Sequence, residues 1–288
     1  MRHELSLAHL TALSLSPQEM IEIAARCGYD FVGLRALAVT AEEPKYPLTH
    51  DRRMLRETRA ALEHNNIGVL DLELARLTPD VDIAALKPML EAGAELGARH
   101  VIAQTPDANR KRAVAHFAQL CELARPFNIG VELEFVTWTE TADLNAAAWI
   151  VEQAGQPNGG ILVDTLHFCR SNCSVEHLRT LPQHWFRMAQ VCDAPAEAPT
   201  TTDGLIYAAR NERRLLGEGG LDLRSILSSL PADIPYSLEI PMTKLSYLLG
   251  PEMRAHMALL TACRYLDAIA LSYWRTRPGQ PTATNAKH

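Results

Sequence analysis

Polar side chains recur at the ends of four apolar segments in the second half of the sequence, where a strand buried on both faces should be apolar. These residues are Glu134, Asp164, Gln190 and Glu239. Converging carboxylates repel one another unless a cation or protons lie between them. Three carboxylates and one amide oxygen make an oxygen-rich ligand set that suits Mg²⁺ or Mn²⁺ better than Zn²⁺. The pattern therefore predicts a site for one divalent metal ion.

Two interpretations of these acidic residues are open at this point. Against a divalent ion, the three carboxylates leave one net negative charge, so one of them is available as a base. Alternatively, the carboxylates form buried salt bridges with arginines. The candidate partners are Arg35, Arg170, Arg210 and Arg213.

Short apolar runs alternate with amphipathic segments along the whole chain. A chain of 288 residues fits one α/β barrel, which takes ~250 residues. The expected strands are Leu5–His9, Tyr29–Leu34, Ile67–Leu74, His100–Gln104, Ile129–Phe135, Gly160–Asp164, Phe186–Val191 and Tyr236–Ile240. A long loop and then a helix at Leu223–Leu230 are expected between the last two strands. Eight strand-then-helix units predict an α/β fold, a single-domain (β/α)8 TIM barrel.

The barrel is expected to span residues 1–275. Residues 276–288, with two prolines and no apolar pattern, are expected to form a flexible C-terminal tail. In a parallel barrel of this kind the active site lies at the carboxyl ends of the strands, where the four polar residues stand.

Composition and charge narrow the classes of partner. The net charge of −6 argues against a nucleic-acid-binding protein, which normally has a basic face. Six cysteines occur without a CxxC pair, and no apolar run reaches the ~20 residues of a membrane span. We expect a cytoplasmic protein that binds a small molecule and neither nucleic acid nor membrane. The oligomeric state, including a homo-oligomer, stays open.

Five segments resemble the sugar phosphate isomerase/epimerase superfamily, whose members share the xylose-isomerase-like TIM barrel. They are Leu133–Trp138, Asp164–Phe168 with the following Arg170, Ala189–Asp193, Leu216–Asp222 and Ser237–Pro241. The resemblance implies that Glu134, Asp164, Gln190 and Glu239 hold the metal. It also implies that His167 contacts substrate oxygens and that Arg170 follows it in the site.

This resemblance implies a divalent-metal-dependent isomerase or epimerase acting on a keto-sugar, a polyol or a sugar-derived acid. Mn²⁺ or Mg²⁺ is favoured and Zn²⁺ is the alternative. Glu134 or Glu239 would remove a proton next to the carbonyl, and the other would return one. His167 would stabilise an oxygen or shuttle a proton, with a pKa near working pH. Further residues expected to contact substrate are His9, Glu73, Asp193 and Arg213.

Two features depart from the family pattern. Gln190 stands where many members have histidine, which leaves the identity of the metal open. Glu132 has the same inward parity as Glu134 but lies one layer deeper in the barrel. It is either a paired core carboxylate or a residue that tunes the site.

Other functions remain open beside the isomerase. A dehydratase of a cyclic polyol such as inosose, or of dehydroshikimate, would share the metal and the proton-removal step. An apurinic-site endonuclease of the same superfamily would need a histidine-rich zinc site and a basic groove, which the acidic charge and the few histidines argue against. A barrel that only binds a metabolite is disfavoured by the intact set of carboxylates.

Overall fold

A closed parallel barrel organises the chain, with strands in the order β1 to β8 and β8 paired back to β1. The computed structural model describes residues 3–171 and 173–276. The strands are β1 Leu5–Leu7, β2 Phe31–Arg35, β3 Gly68–Arg76, β4 His100–Gln104, β5 Gly130–Glu134, β6 Gly159–Asp164, β7 Ala189–Val191 and β8 Tyr236–Leu238. The predicted (β/α)8 TIM barrel is thereby confirmed.

Helices follow the strands around the outside of the barrel. They are α1 Pro17–Cys27, α2 Arg52–Asn65, α3 Lys87–Leu96, α4 Arg110–Ala124, α5 Leu144–Ala154, α6 Thr165–Arg170, α7 Val175–Thr180, α8 Thr202–Asn211, α9 Leu223–Leu227, α10 Thr243–Ser246 and α11 Pro251–Thr276. Among the described residues, no helix is both long and apolar enough to cross a bilayer.

Local sequence signals explain where α1 begins and ends. The Ser16 hydroxyl accepts a hydrogen bond from the Glu19 amide, and the Glu19 carboxylate accepts one from the Ser16 amide, which is a capping box. Gly28 ends the helix with φ of 97°, a left-handed conformation that glycine adopts without a Cβ penalty. The chain then enters β2 at the correct angle to pair with β1.

The connection between the last two strands differs from the prediction. β7 begins at Ala189 rather than at Phe186, and the expected long loop contains helix α8. The helix at Leu223 ends at Leu227, earlier than predicted. β1 also ends at Leu7, because a 3₁₀ turn begins at His9.

Residue 276 is the last residue of α11, and residues 277–288 of the predicted tail lie outside the described residues.

Apolar side chains form two separate layers. The larger cluster packs the outer faces of the strands against the helices. A smaller cluster inside the barrel contains Phe31, Leu70, Leu74, Ile102, Leu162 and Met188. Leu162 and Met188 precede Asp164 and Gln190 by two residues, so strand parity places each pair on the same inward face. The apolar interior thus supports the polar strand ends.

Thr11 joins the first and last strands. Its hydroxyl donates to the Leu238 carbonyl at 2.8 Å and accepts from the Ile240 amide at 2.8 Å. Because Glu239 lies between these two residues, the same contacts hold the backbone on both sides of Glu239.

Candidate active site

A polar pocket of about 650 Å³, its open mouth included, lies at the carboxyl ends of the strands. The charged and polar residues that line it are Arg35, Glu43, Glu73, Arg76, Gln104, Glu134, Thr139, His167, Gln190, Arg210, Arg213 and Glu239. Strand-end side chains from opposite halves of the sequence therefore meet in one cavity, as the barrel requires.

Arg213 lies between two of the predicted metal ligands. Its guanidinium contacts Asp164 Oδ2 at 2.6 Å and Glu239 Oε2 at 2.7 Å, and all three side chains are buried. Its Nε also donates to the Ala209 carbonyl at 2.8 Å, at the end of α8. The salt-bridge interpretation therefore holds for these two carboxylates. The predicted charge balance counted three carboxylates against one divalent ion. It was wrong because it left out Arg213, which contributes one positive charge at the centre of the site.

Arg213 and Asp164 are both ionised. Burial alone would lower the pKa of Arg213, but Asp164 and Glu239 raise it well above its usual value. Burial would likewise raise the pKa of Asp164, but Arg213 and His167 lower it. Asp164 Oδ1 also caps α6 by accepting from the amides of Leu166 and His167. This carboxylate is a fixed, fully buried anion that contacts the pocket residue Arg213.

Glu134 is held in a different state. Burial and repulsion from Asp164 raise its pKa to about 7, although a hydrogen bond from Gln104 Nε2 at 2.6 Å opposes the shift. A carboxyl group with a pKa near neutrality exchanges protons readily in both directions. Glu134 thus has the protonation behaviour of a general acid–base group.

Glu239 and Gln190 form the opposite side of the site. Burial raises the pKa of Glu239 well above its usual value, and Glu73, Asp164 and Glu134 add to this shift while Arg213 opposes it. Gln190 Nε2 donates to Glu239 Oε1 at 3.2 Å and to Glu73 Oε1 at 3.4 Å. These donations leave Gln190 Oε1 buried without a hydrogen-bond partner. An orphaned buried acceptor calls for a cation or a donor from a ligand.

His167 is a neutral side chain in this site. Burial lowers its pKa to about 4, although Asp164 opposes the shift. The prediction of a pKa near working pH is therefore wrong, because the expected gain from a carboxylate is smaller than the cost of desolvating the charged ring. Its Nε2 lies 4.0 Å from Glu134 Oε1, and Trp138 packs edge-on at 5.1 Å.

Glu134, Asp164 and His167 can offer ligand atoms that all lie within 4.8 Å of one another, so this trio can hold a metal ion. It shares two members with the predicted ligand set. Glu239 is not part of this trio, and Arg213 lies between it and Asp164. Of the five predicted catalytic and metal-binding residues, four line the pocket, and the fifth, Asp164, contacts the pocket residue Arg213.

The sequence profile of the xylose isomerase-like TIM barrel family matches residues 21–263. The chain belongs to this family. A related protein, inosose isomerase from Bacillus velezensis strain FZB42, is 25% identical over 228 residues, which cover 73% of this chain and 77% of the relative.

Solved structures of the family superpose on most of this xylose isomerase-like barrel. The IolI protein, crystallised with a bound zinc atom, has a TM-score of 0.77 at 21% identity and covers 92% of this chain and 99% of its own. D-allulose 3-epimerase from Methylomonas sp., in complex with D-allulose, has a TM-score of 0.69 at 18% identity and covers 92% of this chain and 97% of its own. The family thus contains isomerases and epimerases of small sugars and polyols.

Three predicted substrate contacts are not among the residues that line the pocket of this family member. His9 is fully buried, where its Nδ1 accepts from the Arg35 amide at 2.8 Å and its Nε2 contacts the Leu15 carbonyl at 3.1 Å. Arg170 donates to the carbonyls of Pro195 and Ala196. Both side chains instead hold loops in place, because strand-end proximity in sequence does not fix the direction of a side chain.

Asp193, the third of these residues, organises the segment before α9. Its carboxylate accepts hydrogen bonds from the backbone amides of Ala194, Gly217, Gly219 and Leu221. The backbone of the Leu216–Asp222 segment is therefore wrapped around a buried carboxylate. Glu73 and Arg213, in contrast, line the pocket as expected of substrate contacts.

Glu132 is a paired core carboxylate, the first of its two predicted roles. It is fully buried, with Arg187 Nε at 2.7 Å and His100 Nδ1 at 2.9 Å from its Oε1. Burial would raise its pKa, but His100 and Arg187 lower it. Glu132 is therefore ionised and paired with Arg187 and His100 below the pocket.

Two residues of the site were missed in the sequence. Gln104 ends β4 and supports Glu134, and the strand-end rule would have found it had it been applied to the fourth strand. Asp71 precedes Glu73 by two residues, the same spacing as Glu132 and Glu134. Burial and repulsion from Glu73 raise its pKa well above the usual value, and neither oxygen has a hydrogen-bond partner. Burial without a partner among the described residues therefore disfavours the ionised form of Asp71.

Proposed function

We propose that this protein is a divalent-metal-dependent isomerase or epimerase that acts on a keto-sugar, a polyol or a sugar-derived acid. The observation that carries the proposal is the pair of buried carboxyl groups, Glu134 and Glu239, whose pKa values are both raised. They come from β5 and from the end of β8, with β6 and β7 between them. Two acid–base groups that reach one pocket from separate strands suit removal and return of a proton.

The donor set fits a divalent ion held by Glu134, Asp164, Gln190 and Glu239. Gln190 Oε1 is a buried acceptor that needs a partner. Three carboxylates would be balanced in charge by Arg213 and one divalent ion together, so no net charge would remain buried. Oxygen donors favour Mn²⁺ or Mg²⁺, while the zinc in the IolI structure supports Zn²⁺ as an alternative. Each carboxylate oxygen has two acceptor sites, so the bonds from Arg213 do not exhaust Asp164 or Glu239.

The bound ion would supply Lewis acidity, which lowers the pKa of the carbon–hydrogen bond next to a polarised carbonyl. Glu134 removes that proton when it is ionised, a state it reaches near pH 7. Glu239, whose pKa is also raised by burial, returns a proton to the same carbon for epimerisation or to the adjacent carbon for isomerisation. Arg213 stays charged throughout and orients Glu239 through the 2.7 Å contact.

His167 and the apolar walls complete the proposed chemistry. A neutral imidazole can donate one hydrogen bond to a substrate oxygen without adding a charge to the site. Trp138 holds the ring of His167 from its edge, and Leu10 and Val136 line the pocket nearby. These groups limit the access of water to the reacting carbon, which strengthens the electrostatic effect of the charged residues.

Metal content and hydrogen exchange test the proposal together. Protein purified without chelator should contain about one divalent ion per chain, and Asp164→Asn should lose it. With keto-sugars, inososes and keto-acids in D₂O, the protein should incorporate deuterium next to the carbonyl, as followed by NMR. Glu134→Gln and Glu239→Gln should each slow this exchange by about 10²- to 10⁴-fold.

Glu140→Gln is the matched control, because Glu140 is exposed and does not line the pocket. Failure of the reconstituted protein to bind metal, or an unchanged exchange rate in both glutamate variants, would overturn the proposal. Exchange accompanied by a new conjugated double bond in the ultraviolet spectrum would identify the dehydratase instead.

A further inference from the structure

Two arginines of the pocket have no side-chain partner among the described residues. Arg76 ends β3 and Arg210 lies in the last turn of α8, and both line the cavity. Within the described residues, neither guanidinium makes a hydrogen bond or an ion pair within 4.0 Å. Arg210 is only partly exposed, so it lacks full hydration as well. A half-buried guanidinium with five unengaged donors is suited to an acceptor that comes from outside the chain.

The other two arginines of the pocket are engaged. Arg35 contacts Glu73 Oε2 at 3.0 Å, and Arg213 contacts Asp164 and Glu239. Each deeper arginine thus serves a carboxylate of the protein, whereas Arg76 and Arg210 do not. Among the described residues, the pocket arginines without an ion-pair partner are therefore Arg76 and Arg210.

Glu43 offsets the charge of this pair only in part. Its carboxylate accepts a hydrogen bond from the Val39 amide at 2.9 Å and lies 4.0 Å from Arg35. Burial lowers the pKa of Arg210, Glu43 opposes this shift, and Arg76 and Arg35 lower the pKa further. Arg76 and Arg210 are thus close enough to repel each other, and an anion placed between them would remove that repulsion.

We propose that Arg76 and Arg210 form a subsite for an anionic group of the substrate, a carboxylate or a phosphate. The inference rests on the proposed function and narrows it to an acidic sugar or polyol. Planar guanidinium groups bind both kinds of anion with paired, charge-assisted hydrogen bonds. The carboxylates around Arg213 would repel the anionic end, so the substrate enters with its carbonyl end toward Glu134 and its anionic end toward Arg210.

Three matched probes test this subsite by calorimetry on the protein as purified. D-Glucitol is neutral, D-gluconate carries a carboxylate, and D-glucitol 6-phosphate carries a phosphate on a similar carbon chain. At least one anion should bind about tenfold more tightly than glucitol, as expected for charge-assisted hydrogen bonds. In the double variant Arg76→Gln/Arg210→Gln that advantage should disappear, so that each anion binds no more tightly than glucitol.

Arg56→Gln is the control for a change in net charge, because Arg56 is exposed on α2 and is not a pocket residue. A preference for gluconate alone would assign the subsite to carboxylates, and one for the phosphate alone would assign it to phosphate esters. Equal affinity for all probes, no binding of either anion at millimolar concentration, or an advantage that survives in the double variant would overturn the proposal.

These outcomes are separate from those of the exchange experiment. Anion binding through Arg76 and Arg210 without deuterium exchange would refute the proposed function and leave the subsite standing. Exchange on neutral ketoses with no anion preference would refute the subsite alone.

Discussion

Arg213 is a buried cation that lies between Asp164 and Glu239, two side chains that also belong to the proposed metal site. A buried carboxylate without a counter-charge is strongly unfavourable. Arg213 therefore stabilises the site independently of a metal ion, and a bound ion would share that task.

Replacing Arg213 with methionine should reveal this shared role. Arg213→Met should lower the free energy of unfolding of metal-free protein by about 3–5 kcal/mol, because two buried carboxylates lose their partner. Added Mn²⁺ should recover part of the loss, as an ion that binds only the folded state stabilises it. Urea unfolding with and without Mn²⁺ measures both effects.

Arg214→Met is the neighbouring control, because Arg214 is exposed and its guanidinium donates to the Glu218 carbonyl and contacts no buried carboxylate among the described residues. It should cost about 1 kcal/mol or less. Equal losses in the two variants would contradict a compensating role for Arg213.

His9 shows how two hydrogen bonds select one protonation state. Because Nδ1 accepts from the Arg35 amide, the ring proton must lie on Nε2, where it donates to the Leu15 carbonyl. Protonation would direct a second N–H at the Arg35 amide. Burial accordingly lowers the pKa of His9 to about 4.

Acid should therefore remove stability that depends on His9. A histidine whose pKa falls from 6.5 to about 4 on folding binds fewer protons when folded. Its contribution is fully present above pH 6.5 and is lost as the pH falls toward 4. The difference in unfolding free energy between wild type and His9→Gln should shrink by about 3 kcal/mol across this range. Urea unfolding at several pH values measures it.

The comparison with His9→Gln removes the opposite contribution of Glu134, whose raised pKa adds stability as the pH falls through about 7. A difference that stays constant from pH 7 to pH 4 would show that folding does not lower the pKa of His9.

At the scale of elements, the segment between α8 and α9 is shaped around Asp193. The carboxylate gathers four backbone amides, and Gly219 approaches it so closely that a Cβ would overlap Asp193 Oδ1 and the Ala194 carbonyl. The segment therefore requires glycine at residue 219 for close approach.

Gly219→Ala should lower the free energy of unfolding by about 1–3 kcal/mol, the usual cost of overpacking. Gly250→Ala is the matched control, since a Cβ at residue 250 would have open space around it. It should cost about 1 kcal/mol or less. Chemical denaturation of both variants measures the difference, and equal costs would show that the segment can move away from Asp193.

The contents of the segment between β7 and β8 could not be predicted from local pattern. Helix α8 carries no long apolar stripe, and only Ala209 of it is buried. Its position depends on contacts made after the barrel closes, in particular the bond from Arg213 to the Ala209 carbonyl. Arg213 was therefore one of four candidate salt-bridge partners of the carboxylates, and the sequence could not show which of the four makes the contacts.

At the scale of the whole molecule, the barrel and the order of its strands were predictable because each strand-then-helix unit leaves a local pattern. The late strand-end carboxylates were predictable for the same reason. The directions of His9, Arg170 and Asp193 were not, because each depends on a loop that folds back over the barrel. The low pKa of His167 likewise arises from burial, which single residues do not reveal.

The barrel places the carboxyl groups of the proposed site and Arg210 on different kinds of element. The carboxyl groups of Glu134 and Asp164 stand on strands, whereas Arg210 stands on a helix inserted between strands. Arg213 follows Arg210 by three residues and reaches inward to the carboxylates.

This arrangement has an evolutionary consequence. Under the proposed roles, a substitution at Arg210 alters which molecules bind, while a substitution at Arg213 alters whether the bound molecule can react. A lineage that carries this fold can therefore acquire a new substrate by single changes on the outer part of α8, with the inherited chemistry intact. Helix α8 is therefore the element in which a substitution can change the substrate with the least effect on the proposed reaction.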